Sequence, residues 1–149
     1  MGRLIIISNR LPFSIDREGD KLSIRQSSGG LVSAIKSYFE NNINKDQLTE
    51  KLWMGVADFP QEDWDQAVAS HAAQQDFGII PLYVDKDLYD SYYNGFSNSV
   101  LWPLFHYFSS LVEYESKFFD AYVLVNQQLR RSWRLCCSQT TGYGYTITS

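Results

Sequence analysis

Residues 4–8 read Leu-Ile-Ile-Ile-Ser, four apolar side chains in succession with no polar residue among them. A strand with one wet face alternates apolar and polar residues. A strand without alternation has to be covered on both faces, which is the situation of a parallel sheet flanked by helices. This run therefore commits the chain to an α/β layer. Residues 13–16 and 21–25 alternate about Glu18-Gly19-Asp20, the signal of a β-hairpin. Leu31, Ala34, Ile35 and Tyr38 fall at i, i+3, i+4 and i+7 and predict an amphipathic helix, with Ser28 or a neighbour as its cap. Residues 52–56 predict a second core strand, 61–75 an alanine-rich helix, and 79–84 a strand interrupted by Pro81. Residues 85–93 predict a helix starting near Asp85. Residues 107–128 predict a helix with a break, carrying Phe118, Tyr122 and Val125 on one face. Strand, helix, strand, helix in that order predicts a mostly parallel sheet with a hairpin inserted near its start.

The chain's 149 residues are 44% hydrophobic and 20% charged, enough for a domain with a real core. A net charge of −4 gives no basic footprint for nucleic acid or an anionic membrane. No apolar run approaches the roughly 18 residues that read as a membrane span. Residues 4–7 are too few for the core of a signal peptide. A cytoplasmic address is expected. Cys136 and Cys137 are adjacent and are the only cysteines, so neither a disulfide framework nor a zinc site can be assembled from them. His71 and His106 lack the spacing of metal ligands. No metal or cofactor is expected.

Residues 92–107 hold six Phe, Tyr or Trp residues, one histidine, two asparagines and no carboxylate, lysine or arginine. They follow neither the period of a strand nor that of an α-helix. Ring faces cover the C–H faces of a sugar, and amides and hydroxyls read its hydroxyl groups. The same residues would also serve as a buried aromatic cluster. Arg10 comes directly after the first strand. In open α/β sheets ligands bind beyond the carboxyl ends of the strands, at the point where strand order reverses. A guanidinium there presents a planar fork of donors to phosphate oxygens, although position alone favours a surface arginine. Gly29 and Gly30 precede a helix. Such a pair lets backbone N–H groups approach a diphosphate at the helix N-terminus, and it also makes an ordinary flexible turn. It lacks the third glycine of the dinucleotide fingerprint. Trp53, Tyr93 and Trp102 are the aromatic candidates, with core packing as the alternative for each. His106 reads as a structural histidine. Asp58, Glu62, Asp63 and Asp65 read as a solvated acidic run.

Ser8-Asn9-Arg10-Leu11-Pro12, Gly29-Gly30-Leu31-Val32 and the stretch from Tyr92 to Tyr107, in that order, closely resemble the trehalose-6-phosphate synthases. The resemblance runs from about Arg3 to about Gln127. That family consists of retaining GT-B glycosyltransferases with two Rossmann-like domains, joining glucose from UDP-glucose to glucose 6-phosphate without a metal. The resemblance implies that Arg10 grips the acceptor phosphate. It implies that Tyr93, Trp102 and Trp53 line the glucose 6-phosphate pocket, and that Gly29 and Gly30 contact the UDP-glucose donor. Trp53-Met54-Gly55-Val56 departs from the family pattern, because Val56 stands where a second tryptophan is usual. Asn94, Phe96 and Asn98 are expected to hold the aromatic wall in shape.

The resemblance covers an incomplete Rossmann-like N-terminal domain. Residues 1–128 read as the acceptor-binding half-domain and 129–149 as an out-of-pattern tail, expected to be disordered and to leave the edge of the first strand bare. No catalytic residue is expected within the chain, and the chain alone is expected to be inactive. The tail brings three arginines in five residues, both cysteines and a run of Thr, Gly and Tyr. Read one base out of frame, codons for residues 142–148 permit Val-Trp-Val-His-Asp-Tyr, the strand and motif the family carries next. A one-base slip near residues 128–131 is therefore expected. Alternative readings are a non-catalytic module that binds glucose 6-phosphate or docks on a full-length synthase, a remnant that does not fold, and a related GT-B enzyme such as a glucosylglycerol-phosphate synthase. Homo-oligomerisation is left open.

Overall fold

The computed structural model describes residues 2–27, 30–40, 48–73, 77–138 and 144–148. Along the chain come β1 (Gly2–Arg10), β2 (Phe13–Glu18), β3 (Lys21–Gln26), α1 (Gly30–Glu40), β4 (Leu48–Val56), α2 (Gln61–Ala69) and β5 (Gly78–Leu82). Then follow α3 (Lys86–Asp90), a π-helix (Ser91–Leu101), α4 (Trp102–Phe105), a 3-10 turn (Ser109–Leu111), α5 (Ser116–Ser138) and β6 (Gly144–Thr148). The chain divides into two compact units, Met1–Tyr83 with Cys137–Ser149, and Val84–Cys136.

The first unit is built on a four-stranded sheet in the order β5-β4-β1-β6, with every neighbouring pair parallel. Leu4, Ile5 and Ile6 are almost wholly buried, as an unbroken apolar strand between two neighbours requires. Leu4 and Ile6 share one core with Trp53, Phe59, Ile35 and Ala67. β5 lies at the end of the sheet, which is why Pro81, with no N–H to donate, is accepted there. The hairpin β2–β3 pairs Glu18 with Lys21 across Gly19-Asp20, and Gly19 takes a φ of 63°. A two-residue hairpin loop needs that left-handed conformation, and only glycine adopts it without strain.

The hairpin is fixed to α2 by two devices. Phe13, Phe59 and Trp64 stack with ring centroids 6.0–6.1 Å apart. Arg17 donates from Nε (2.8 Å) and from Nη2 to Oδ1 of Asp63, and from Nη2 to Oε1 of Gln66 (2.9 Å). Asp63 is 7% exposed, so it is a paired interior carboxylate and not part of a solvated run. α2 ends at Ala69, short of the expected residue 75; His71 turns to a φ of 58° and its N–H caps Val68. Residues 74–76 lie outside the described residues.

The tail differs from expectation. α5 continues through residue 128 to Ser138, with no proline or glycine to stop it. Residues 144–148 pair with residues 3–7 of β1, so the edge expected to be bare is occupied. Tyr145, Thr146, Ile147 and Thr148 are aromatic or β-branched, a composition that suits a strand in any sequence context.

In the second unit Asp85 caps α3, its carboxylate accepting from the N–H of Asp87 (3.0 Å) and of Leu88 (3.1 Å). The core joins Tyr92, Ala121 and Val125 with Leu88, Tyr89, Tyr93, Tyr122 and Leu129 around them. Residues 112–115 form no regular element, and the helix expected from residue 107 starts at Ser116.

Candidate functional site

The aromatic stretch showed no α or β period because residues 91–101 form a π-helix, in which N–H groups bond five residues back and a turn takes more than four residues. Tyr92, Phe96 and Val100, spaced by four, are its buried stripe. Two hydroxyls follow the same five-residue step: Ser97 donates to the carbonyl of Tyr92 (3.1 Å) and Ser99 to that of Asn94 (2.9 Å). Asn94 donates to Asp90 (2.5 Å) and Asn98 to Asn94 (3.4 Å). Those amides and hydroxyls hold the helix rather than a ligand. Gly95 is buried because Phe118 lies where a Cβ would stand. Phe96 packs between Phe119 (5.4 Å) and Tyr122 (4.8 Å).

Of the predicted pocket residues in this unit, Tyr93 is half-buried and stacks on Tyr89 at 5.7 Å. Trp102 is 50% exposed, stacked on His106 at 4.2 Å. His106 Nδ1 lies 2.8 Å from the carbonyl of Trp102, so this histidine braces the tryptophan. Trp102 is also stacked with Phe108 at 6.2 Å, so two neighbouring rings hold it in place.

Tyr92 is the titratable outlier of the unit. Burial first, and then the neighbouring phenols of Tyr89, Tyr122 and Tyr93, push its pKa up to about 12. The unfolded value is about 10. Between the two the unfolded chain has lost a proton that the folded chain keeps, so folding weakens as pH rises through that window and is unaffected below it. Tyr92→Phe should flatten this alkaline loss, read as the denaturation midpoint of the α5 amides against pH. An unchanged slope in the variant would refute it.

In the first unit the strand order places the reversal at β1: the chain runs outward through β4 and β5, then returns to the other side of β1 with β6. A crevice at the carboxyl end of β1 is the ligand position such a sheet offers. Arg10 is the last residue of β1 and is exposed. The base of the hairpin ties Ser27 to the residues just beyond β1. Ser27 donates its N–H to the carbonyl of Pro12 (2.8 Å) and its hydroxyl to that of Leu11 (3.3 Å). Gly30 follows three residues later, within about 11 Å along the chain, and starts α1. Among the described residues nothing lies within 4 Å of a Cβ placed on Gly30. Gly29 lies outside the described residues.

Trp53 is not on a pocket wall. It is 0% exposed, and its indole N–H donates to Oγ of Ser8 at 2.7 Å inside the core. Trp53 was placed at the pocket by the family resemblance, and the structure favours the alternative weighed beside it, core packing. Gly55, which sequence reasoning passed over, proves to be a site of close approach: a Cβ there would stand 2.8–2.9 Å from Arg10 C, Arg10 O and Leu11 N. Its place two residues after Trp53 gave no signal of this, because the approach is made by another strand.

The description "Glycosyltransferase family 20" matches residues 2–132. A UDP-forming α,α-trehalose-phosphate synthase A of Dictyostelium discoideum is 38% identical over 128 residues, covering 85% of this chain and 16% of the relative. A UDP-forming α,α-trehalose-phosphate synthase 1 of Aspergillus fumigatus is 36% identical over 126 residues, covering 84% of this chain and 23% of the relative. The crystal structure of a UDP-forming α,α-trehalose-phosphate synthase from Burkholderia vietnamiensis superposes with a TM-score of 0.61 at 25% identity, over 98% of this chain and 26% of that one. The chain thus spans about a fifth of the length of the curated relatives it matches. The fold is the Rossmann-like N-terminal part of a GT-B architecture. A parallel sheet that ends in Ser8-Asn9-Arg10 at its reversal point, joined to a helix from Gly30 and an aromatic π-helix, is matched by that signature over most of the chain, and the protein belongs to glycosyltransferase family 20.

Proposed function

We propose that this chain is the acceptor-binding part of a trehalose-6-phosphate synthase. The whole enzyme transfers glucose from UDP-glucose to the anomeric hydroxyl of glucose 6-phosphate with retention of configuration. Arg10 binds the acceptor phosphate, Tyr93 and Trp102 contribute ring faces to the acceptor sugar, and Gly29 and Gly30 meet the donor. Trp53 supports the site from inside the core. The observation that carries this reading is Arg10 standing exposed at the carboxyl end of the strand where the sheet reverses. A fixed fork of donors there suits a phosphate dianion. Support also comes from relatives named as UDP-forming synthases. The chain spans about a fifth of the length of these relatives, and no product is expected from it alone. The reading carries a cytoplasmic address. It treats residues 129–149 as out of frame, in keeping with a family match that ends at residue 132.

Isothermal titration calorimetry tests it. Glucose 6-phosphate is expected to bind the chain more tightly than glucose. Arg10→Ala should weaken glucose 6-phosphate binding about 10- to 100-fold, the worth of a charge-assisted hydrogen bond, and leave glucose unaffected. Equal affinity of the wild type and Arg10→Ala for glucose 6-phosphate sinks the reading.

A further inference from the structure

We infer that Ser8, Trp53 and Gly55 are positioning residues for Arg10, locking a β-bulge that sets the direction in which its side chain leaves the sheet. The inference rests on Arg10 being the phosphate ligand only for its consequence in binding; the bulge itself is geometry.

β1 and β4 run in register from Arg3 to Ser8, where Ser8 stands opposite Gly55. The next pairing is Arg10 opposite Val56, so Asn9 is an extra residue on β1. In an unbroken strand residues 8 and 10 point to the same face. Here Ser8 is 4% exposed while Arg10 is exposed. A bulge of this kind bends its strand and re-aims the side chain beside it.

Two features hold the bulge. The first is a relay of hydrogen bonds. The indole N–H of Trp53 donates to Ser8 Oγ (2.7 Å), and the Ser8 hydroxyl donates to the carbonyl of Arg10 (2.5 Å). An indole nitrogen can only donate. It therefore takes a lone pair of Ser8 and leaves the hydroxyl proton for Arg10, which fixes the direction of the relay. Trp53 and Ser8 are 0% and 4% exposed, so water does not compete for the first bond, while the second is part-buried. The second feature is the missing side chain of Gly55. β4 comes so close that a Cβ would stand 2.8 Å from Arg10 C and 2.9 Å from Arg10 O and Leu11 N. All three are backbone atoms with no torsion of their own to yield. Beyond the bulge the Leu11 N–H donates to the carbonyl of Val56 (3.3 Å), which closes the irregular stretch. The Arg10 peptide is thus held by a hydroxyl on one side and a bare glycine on the other. Fixing the Cα–Cβ direction leaves less freedom to be lost when the guanidinium engages a phosphate.

The test uses the full 149-residue chain in two arms. In the first, amide hydrogen exchange is followed at Leu11 and, for reference, at Ile5. Ser8→Ala and Gly55→Ala should speed exchange at Leu11 by about tenfold or more while leaving Ile5 within a factor of about two. Trp53→Phe, which keeps a ring and loses the N–H, should act in the same direction. Leu11 protection unchanged in Ser8→Ala and Trp53→Phe overturns the inference, whatever the ligand does. In the second arm, glucose 6-phosphate and glucose are titrated. Ser8→Ala should weaken glucose 6-phosphate about three- to tenfold, leave glucose unchanged, and add nothing further in an Arg10→Ala background. Full additivity with Arg10→Ala, or equal loss of both sugars, overturns the positioning role. If Arg10→Ala binds as the wild type does while Leu11 responds as stated, the phosphate assignment of Arg10 fails and the bulge lock stands.

Discussion

Trp53→Ala is expected to destabilise the first unit by about 4 kcal/mol, the cost of emptying a buried tryptophan site, and to leave Ser8 without its donor. The ring is 0% exposed, lies 5.8 Å from that of Phe77 and sits in the core with Leu4, Ile6 and Phe59. Urea denaturation followed through the protected amides of β1 and β4 measures the effect directly. A tryptophan on an open ligand wall would behave in the opposite way. Its removal would cut sugar affinity and shift stability by no more than about 0.5 kcal/mol. Stability preserved in the alanine variant would therefore return Trp53 to the pocket.

Phe96→Ala should cost the second unit a comparable amount, about 3–4 kcal/mol. Phe96 is 8% exposed and wedged between Phe119 and Tyr122, so its loss leaves a void that the π-helix and α5 both border. Trp102→Ala, by contrast, removes a ring that is half exposed and should cost about 1 kcal/mol or less. Thermal unfolding monitored at the amides of α5 distinguishes the two. A loss at Trp102 as large as that at Phe96 would show that Trp102 is core, and would remove it from the list of sugar-facing rings.

These outcomes bear on how much of the molecule could be read in advance. The hairpin and α1 were legible because their hydrophobic spacing matched one structural period, and the central strand and β4 because a short apolar run suits a strand covered on both faces. The π-helix was not, because the four-residue spacing of Tyr92, Phe96 and Val100 is shared with an ordinary α-helix and does not reveal a five-residue hydrogen-bond step. Its asparagines and serines invited a ligand, and the structure turns four of them onto its own backbone and side chains. That residue 10 closes the first strand was legible from the apolar run before it, while its phosphate role came from the family resemblance and not from its position. The lock behind it was not legible, since Ser8, Trp53 and Gly55 are brought together only by the pairing of β1 with β4, some 45 residues apart. Asp63 misled for the same reason: its partner Arg17 is 46 positions away. The tail misled because departure from a family pattern was read as loss of structure, whereas strand formation asks only for suitable side chains and an open neighbour.

The sheet order also fixes a sequence of events in time. β1 ends at Arg10 and its second neighbour does not begin until Gly144. At a synthesis rate of about 5–20 residues per second, that separation corresponds to roughly ten seconds. Until β6 is made the nascent β1 lacks its second neighbour, and β4 itself is complete only at Val56, so the backbone edge of residues 3–7 on that side has no strand to pair with. Any delay in translation between residues 10 and 144 lengthens that exposure in direct proportion.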